Sequence, residues 1–157
     1  MEEQSRPAYH LGDLLALARE HWVRQMAEHV NRAGFDDYRR TDAAVMRLLS
    51  RRPRSIGQIG AALGVTRQAA RKFVTRLEGR GFVVTGRDAS DARQVNVELT
   101  GRGAEYARAI RGAIDALDRR LAQRVERAQL LAADAVLRAT LPDEDARERA
   151  MRLVPPP

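Results

Sequence analysis

The sequence predicts an α+β fold that is mainly helical, with a central helix-turn-helix and hairpin lobe between two sets of terminal helices. Two short helices and two β-prone runs follow one another between Ser55 and Thr100. Long amphipathic patterns lie on both sides of that stretch, over residues 8–33 and 101–141. The composition is 44% hydrophobic but only 4% aromatic, which is typical of a helical protein rich in alanine and leucine.

The central stretch opens with a capping box and contains a tight turn. Ser55 precedes Gln58 by three residues, the spacing at which each side chain can satisfy a backbone amide of the other. Gly64 is a natural left-handed helix end, and Thr66 can cap a new helix almost at once. Two helices joined by so few residues match a helix-turn-helix. The first contains two glycines, which cost it about 1 kcal/mol each, so it should depend on packing.

The second helix, predicted from Thr66 to about Gly79, has two chemically different faces. Its buried stripe has helical spacing and consists of Ala70, Phe73, Val74 and Leu77. The opposite face carries polar and basic residues, namely Gln68, Lys72 and Thr75, flanked by Arg71 and Arg76. Because a cation in the first helical turn opposes the helix dipole, Arg67 is expected to find its partner outside the chain. Arg and Lys bind guanine or phosphate and Gln binds adenine, so the pattern predicts a recognition helix for the DNA major groove. The alternative is an ordinary solvated helix face.

A β-hairpin is predicted to follow. Gly81 ends the helix, the run from Phe82 to Thr85 is β-prone, and residues 95–99 alternate as a half-buried strand. A polar loop over residues 87–93 lies between them. The run RLEGRGFV…GRDASDARQVNVELTGRG resembles the signature of the MarR family of winged-helix regulators. The residues that match in type and spacing are Leu77, Glu78, Gly81, Asp88, Asp91, Arg93, Leu99, Thr100 and Gly103. The upstream pattern S-x-x-Q-I…L-G-V-T is also similar to T-x-x-E-L…L-G-V-S of that family.

The resemblance covers roughly residues 40–105 in motif and the whole chain in layout. It implies a homodimer whose two recognition helices enter successive major grooves, about 34 Å apart, of a pseudo-palindromic operator. It also implies that Arg93, in the wing, enters the minor groove, where Asp91 is close enough to hold its guanidinium. The predicted DNA-binding residues are Thr66, Arg67, Gln68, Arg71, Lys72, Thr75, Arg76, Arg87, Asp91 and Arg93. Ala69 and Arg71 replace small hydroxyl residues of the family, so the operator sequence does not transfer.

The family resemblance further implies a pocket for a small aromatic or lipophilic acid between the dimer helices and the DNA-binding lobe. The residues that could line this pocket are His21, Trp22, Met26 and Met46. The alternative for each of them is an ordinary core position. The three histidines are candidates for a metal site between subunits, but partly exposed histidines are the simpler interpretation, and no metal or other cofactor is predicted.

The chain is read as a single domain, 1–157, with a winged-helix lobe at 41–100, dimerisation helices at 8–33 and 101–141, and a tail at 142–157. Thr41 is predicted to cap a helix from Asp42 to Arg51. Within the C-terminal part we predict a long helix to about Val125, a second helix over 128–141 and a short one over 143–154. The apolar stripe of the first helix consists of Leu11, Leu14, Leu15, Ala18, Trp22, Met26 and Val30. That of the long helix consists of Gly103, Ala107, Ile110, Ile114, Leu117, Leu121 and Val125.

The long helix should extend for close to 40 Å at 1.5 Å per residue, which is more than one small domain can cover. Part of its stripe is therefore expected to meet a second chain. The alternative is a helix interface within one chain.

Charge and composition point to a polyanionic partner. The formal net charge is +7 and the isoelectric point is about 11.0. An arginine-rich genome is an alternative explanation, since Lys72 is the only lysine. The absence of cysteine excludes disulfides and cysteine-based redox sensing. The N-terminus lacks a signal-peptide pattern and no apolar run approaches 18 residues, so we expect a cytoplasmic protein, associated with the nucleoid when bound to DNA.

No motif for catalysis is present, so the chain is not expected to be an enzyme. Taken together, the residues and the resemblance predict a sequence-specific regulator of transcription that binds double-stranded DNA, a repressor relieved by a small ligand. The alternative function is a winged-helix module that binds protein or RNA without a role in transcription.

Overall fold

The structure is a computed structural model that describes residues 10–87 and 95–141. Within these residues the order of elements is α1 (Leu11–Arg32), α2 (Arg40–Leu49), β1 (Arg54–Ser55), α3 (Ile56–Leu63), α4 (Arg67–Gly79), β2 (Val83–Arg87), β3 (Val95–Leu99), α5 (Gly101–Ala122) and α6 (Arg127–Ala139). The mainly helical α+β prediction is confirmed. None of these helices has the length and apolar character needed to cross a membrane.

The predicted helix-turn-helix corresponds to α3 and α4, and its predicted caps are confirmed. The Ser55 hydroxyl accepts from the Gln58 amide at 3.2 Å, and the Gln58 side chain accepts from the Ser55 amide at 3.0 Å. Gly64 has φ 66°, a left-handed conformation that ends α3. Thr66 caps α4 by accepting from the amide of Ala69 at 3.2 Å.

One of the two glycines in α3 has a clear packing role. A Cβ atom on Gly60 would lie 3.0 Å from the carbonyl oxygen of Val65 and 3.5 Å from the Cβ of Ala70. Gly60 therefore allows α3 to lie close to the turn and the start of α4. Gly57 has no such role, because only the Ser55 hydroxyl oxygen, at 3.9 Å, lies near its missing Cβ.

The wing strands form a small antiparallel sheet with the order β1-β3-β2. The predicted strand over 95–99 is confirmed as β3, and it pairs with β2 from Val83 opposite Leu99 to Arg87 opposite Val95. β2 starts one residue later than predicted and extends to Arg87. Sequence analysis missed β1, whose two residues pair with Asn96 and Val97. A strand of two residues is too short to show an alternating pattern.

The helix ends differ from prediction at several places. α2 begins at Arg40 and ends at Leu49, so Thr41 is not its cap; the N-cap is Arg39, which makes no side-chain capping bond. α5 ends at Ala122 rather than near Val125. α6 begins at Arg127, where the side chain of Gln129 accepts from the amide of Glu126 at 2.9 Å. The predicted helix over 143–154 lies outside the described residues.

The core joins the lobe to parts of α1 and α5. The α5 stripe is buried at Gly103, Ala107, Ile110 and Leu117, where α5 packs against α1 and α2 of the same chain. Sequence analysis missed Tyr106 and Ala113, which are also buried. The intrachain interpretation therefore holds for the stripe up to Leu117. Beyond this point Leu121 is 42% exposed.

The first half of α1 and all of α6 lack an apolar partner within the described part of the chain. Only Met26 and Val30 of the predicted α1 stripe are buried, while Leu11 and Leu14 are exposed. No residue of α6 is buried. Apolar side chains of these two helices therefore remain exposed in the described part of the chain.

Candidate nucleic-acid interface

The outer face of α4 carries the polar and basic side chains that the sequence assigned to it. Arg67, Gln68, Arg71, Lys72 and Thr75 are all exposed. Four of these residues, together with Arg76, line a shallow depression of about 460 Å³. Within the described chain, the cations of Arg67, Arg71 and Lys72 have no carboxylate at ion-pair distance. The face is thus an exposed cationic surface on a helix that the lobe holds from behind.

Arg76 differs from the other basic residues of α4 because an intrachain ion pair holds it. Its guanidinium donates from Nε to both carboxylate oxygens of Asp42, at 3.1 and 3.3 Å, and from Nη2 to the same carboxylate. Nη2 also donates to the hydroxyl of Thr41 at 3.2 Å. Thr41 therefore serves as an acceptor for Arg76 instead of a helix cap. The side chain of Arg76 is 28% exposed, at the edge of the depression.

Arg80, one helical turn after Arg76, reaches the same buried carboxylate. Its Nη1 donates to Asp42 and to the backbone carbonyl of Asp37, both at 3.2 Å, and its Nη2 donates to the carbonyl of Asp36. The guanidinium also stacks over the ring of Phe82 at 4.8 Å. Arg80 thus ties the end of α4 to both α2 and the connector between α1 and α2.

Sequence analysis missed the role of Asp42. Its side chain is fully buried, the one charged residue buried among those described. The signal was present in the sequence, because Asp42 shares the spacing of Val45, Met46 and Leu49, all buried on one face of α2. A carboxylate on an apolar helix face must be paired when it is buried.

Glu78 joins the recognition helix to the wing. Its Oε1 accepts from the Thr85 amide at 3.1 Å and from the Thr85 hydroxyl at 2.7 Å. Glu78 lies on α4 and Thr85 on β2, so these bonds fix the direction in which β2 leaves the helix. The Leu-Glu step of the motif thus has a structural basis in this chain.

The L-T-x-x-G end of the motif fixes the start of α5 against the wing. The Thr100 hydroxyl accepts from the Gly103 amide at 2.9 Å and donates to the Gly81 carbonyl at 2.7 Å. The Thr100 amide donates to the Phe82 carbonyl at 3.1 Å. A Cβ atom on Gly103 would lie 1.8 Å from that same carbonyl oxygen, so only glycine fits.

A protein-family model described as the MarR family matches residues 37–94, which include α2, α3, α4 and the first wing strand. The winged-helix lobe of the chain is thus similar to the MarR family. The contacts of Glu78, Thr100 and Gly103 described above agree with this similarity. No curated protein sequence matches the chain significantly.

Solved structures of MarR-like fold match nearly the whole described chain. The transcriptional repressor CouR, bound to a 23-mer DNA duplex, is 26% identical, covering 88% of this chain and 97% of that chain with a TM-score of 0.69. The S. aureus MepR–DNA complex is 16% identical, covering 85% and 97%, with a TM-score of 0.72. A mutant of MarR from E. coli, complexed with operator DNA, is 19% identical, covering 84% and 94%, with a TM-score of 0.69. The chain thus shares the fold of those proteins over most of its length, including the terminal helices.

The predicted wing contacts lie largely beyond the described residues. β2 ends at Arg87, and the predicted minor-groove residue Arg93, its partner Asp91, and Asp88 all fall outside the described residues. Thr66, also a predicted contact, is exposed, and its hydroxyl is the N-cap of α4.

The residues proposed for a ligand pocket have different surroundings. Met26 and Met46 are 2% and 0% exposed and belong to the main core. Trp22 is half-buried against that core, whereas His21 is exposed. Met26 and Met46 therefore occupy ordinary core positions in the structure.

Burial shifts the pKa values of Tyr106 and Arg47. Burial raises the pKa of Tyr106 to about 12, although nearby Arg80 acts in the opposite direction. Burial likewise lowers the pKa of the Arg47 guanidinium, with Arg51 adding to the effect.

Of the histidines, His29 is paired through Nδ1 with the Gln25 carbonyl at 2.9 Å. The described residues contain no group of three or more side chains able to hold a metal ion.

Proposed function

We propose that this protein is a regulator of transcription that binds double-stranded DNA in a sequence-specific manner. The exposed face of α4 carries the proposal. It places Gln68 between Arg67 on one side and Arg71 and Lys72 on the other, and no described carboxylate neutralises these cations. Glutamine can read an adenine edge, while arginine and lysine bind guanine or phosphate. MepR, CouR and MarR, which share the fold, were each solved with DNA.

The DNA-binding unit is proposed to be a homodimer assembled through α1, α5 and α6. The exposed apolar residues of these helices are Leu11, Leu14, Leu17, Leu121, Leu131, Val136 and Leu137. Large apolar side chains exposed on the helices of a chain often mark a contact surface, and a two-fold dimer would cover them. Such a dimer would present two copies of α4 to successive major grooves.

Within this proposal each predicted contact other than Thr66, whose hydroxyl caps α4, has a role. Gln68 and Lys72 read bases, and Arg67, Arg71, Thr75 and the wing residues Arg87 and Arg93 contact phosphates or the minor groove, with Asp91 holding Arg93. Arg76 is assigned to the support of α4, since its donors are engaged by Asp42 and Thr41. We propose further that the regulator is a cytoplasmic repressor relieved by a small ligand, and that it has no enzymatic activity.

Salt dependence of DNA binding tests the proposal. The wild-type chain is titrated against the DNA that flanks its own gene, with fluorescence anisotropy as the readout. With six to ten phosphate contacts, affinity should fall by about 10³–10⁵-fold between 50 and 200 mM salt. A nearly flat response would contradict a DNA duplex as partner. Equal binding of single-stranded RNA or of a protein extract in place of duplex would favour the alternative of a protein- or RNA-binding module.

A further inference from the structure

The recognition helix is held by one buried carboxylate from a different helix. Asp42 lies in the first turn of α2 and has a fully buried side chain. Arg76 and Arg80 of α4 both donate to it, and the pair is separated by one helical turn. One charge of α2 thus contacts two successive turns of α4.

Two contacts one turn apart constrain a helix more than a single contact does. A single ion pair would allow α4 to rotate about the contact, whereas two contacts along one side fix both its rotation and its position along its axis. The rotation of a helix decides which of its side chains face outward, because successive residues lie about 100° apart around its axis. A small rotation of α4 would therefore move Gln68 and Lys72 away from the base edges that they are proposed to read.

The same carboxylate controls the charge at the edge of the interface. Arg76 lines the depression together with Gln68, Arg71 and Lys72, but its guanidinium faces Asp42. In this arrangement the Arg76 charge is largely neutralised. Without Asp42, Arg76 would be a further free cation beside the DNA-binding face, available to any phosphate of any sequence.

We propose that Asp42 is a positioning residue for sequence-specific DNA binding: by holding Arg76 and Arg80 it orients the recognition helix and withholds one positive charge from the interface. This inference rests on the proposed function. It makes a prediction that a purely structural role does not make. Removal of the Asp42 carboxylate should weaken binding to the specific site while leaving binding to unrelated DNA unchanged or stronger.

The test compares Asp42→Asn with Asp37→Asn. Both substitutions remove one negative charge, and Asn is nearly isosteric with Asp. Asp37 makes an exposed ion pair with Arg39 and has φ 56°, which asparagine tolerates well. Arg80 contacts Asp37 only through the backbone carbonyl, which the substitution keeps. The control therefore reproduces the change of charge without removing the support of α4.

Each full-length variant is measured against two duplexes by fluorescence anisotropy. One is a duplex selected from a random-sequence library with the wild-type protein, and the other is a scrambled duplex of the same composition. The affinity of Asp42→Asn for the selected duplex should fall by about 10- to 100-fold, the cost of roughly one well-formed base contact. Its affinity for the scrambled duplex should be equal or higher, with a salt slope steeper by up to about 0.9 for each subunit of the proposed dimer. Asp37→Asn should change the two affinities equally.

Far-UV circular dichroism and the thermal midpoint establish whether Asp42→Asn is folded at the assay temperature. If it is folded and keeps the wild-type ratio of the two affinities, the inference is wrong. If it does not fold, Arg76→Lys decides the question, because lysine keeps the charge but cannot donate to Asp42 and Thr41 through a planar fork. A reduced ratio for Arg76→Lys supports the inference and an unchanged ratio overturns it. If selection with the wild-type protein enriches no duplex, the proposed function itself fails, and the role of Asp42 fails with it.

Discussion

Gly103 lies at the closest approach between α5 and the wing, and this contact explains a single residue of the motif. The missing Cβ would overlap the carbonyl oxygen of Phe82 at 1.8 Å. That carbonyl cannot move freely, because it accepts from the Thr100 amide at 3.1 Å. The carbonyl of the preceding residue, Gly81, is held by the Thr100 hydroxyl. The glycine is therefore required by a backbone contact and not by an unusual φ angle.

We expect Gly103→Ala to lower the free energy of unfolding by about 1–3 kcal/mol or more, since the new methyl group has no space. Gly57→Ala is the matched control. It is exposed on α3 and has only the Ser55 hydroxyl oxygen near its missing Cβ, so it should raise stability by about 0.5–1 kcal/mol. Both values come from urea unfolding at one fixed protein concentration. A neutral Gly103→Ala would show that α5 is not held against Phe82 as described.

Residues whose partners are near in sequence could be predicted, whereas those with distant partners could not. Ser55, Gly64 and Thr66 form caps and turns with partners at most a few residues away, so spacing alone identified them. The partners Asp42 and Arg76 are 34 positions apart. No local pattern joins them, and Arg76 was therefore interpreted as a DNA contact when its main partner is Asp42.

At the scale of the element, α4 has a buried packing side and an exposed polar and basic side. Ala70, Val74 and Leu77 are buried, while Gln68, Arg71 and Lys72 are exposed. Arg76 and Arg80, at the border between the two sides, bind Asp42. The helix is thus held by an apolar stripe and a charged border, and its remaining surface is free for a ligand.

This division predicts different effects for two neighbouring substitutions on α4. Gln68→Ala should cost about 1–3 kcal/mol on the selected duplex alone and relax the preference at one base pair. Arg71→Ala should weaken binding to selected and scrambled duplexes alike and reduce the salt slope by about 0.9 for each phosphate that is no longer neutralised. The measurement is anisotropy with both duplexes at several salt concentrations. Identical behaviour of the two variants would contradict the separation of base readout from phosphate binding.

The predictability of each element follows from the length of its pattern. α4 and β3 have clear periodicity and were found at nearly their observed bounds. The two-residue β1 has no period to detect, and it exists because β3 offers an open edge beside it. α1 shows a stripe along its full length, but only its second half meets the core. Periodicity reveals which side of a helix is apolar without telling which partner covers it.

At the scale of the molecule, the buried and exposed parts of the terminal helices have different roles. The α5 stripe is buried within the chain up to Leu117, and Leu121 beyond it is exposed. The sequence could not show where the intrachain contact ends, because Leu117 and Leu121 belong to the same regular stripe. α6 lacks a buried residue altogether, and exposed apolar side chains lie on α1 as well.

Leu131 and Leu137 of α6 allow the proposed dimer to be tested without damage to the core. They are 62% and 47% exposed in the described chain, so the double substitution Leu131→Glu and Leu137→Glu should leave the fold of one subunit intact. If α6 contributes to the dimer, the buried glutamates would break it, since an unpaired charge is costly in an apolar interface. We expect a monomer in sedimentation velocity, with the thermal transition of the lobe retained.

Binding to the selected duplex should then fall by about 10²-fold or more, because each half-site no longer gains from a linked second site. Binding to a duplex with a single half-site, weak in any case, should change little. Ala61→Glu, an exposed position on α3, adds the same kind of charge within the lobe and should leave the oligomeric state unchanged. A double variant that still sediments as a dimer would show that α6 does not contribute to the subunit interface, and α1 and α5 would then have to provide it alone.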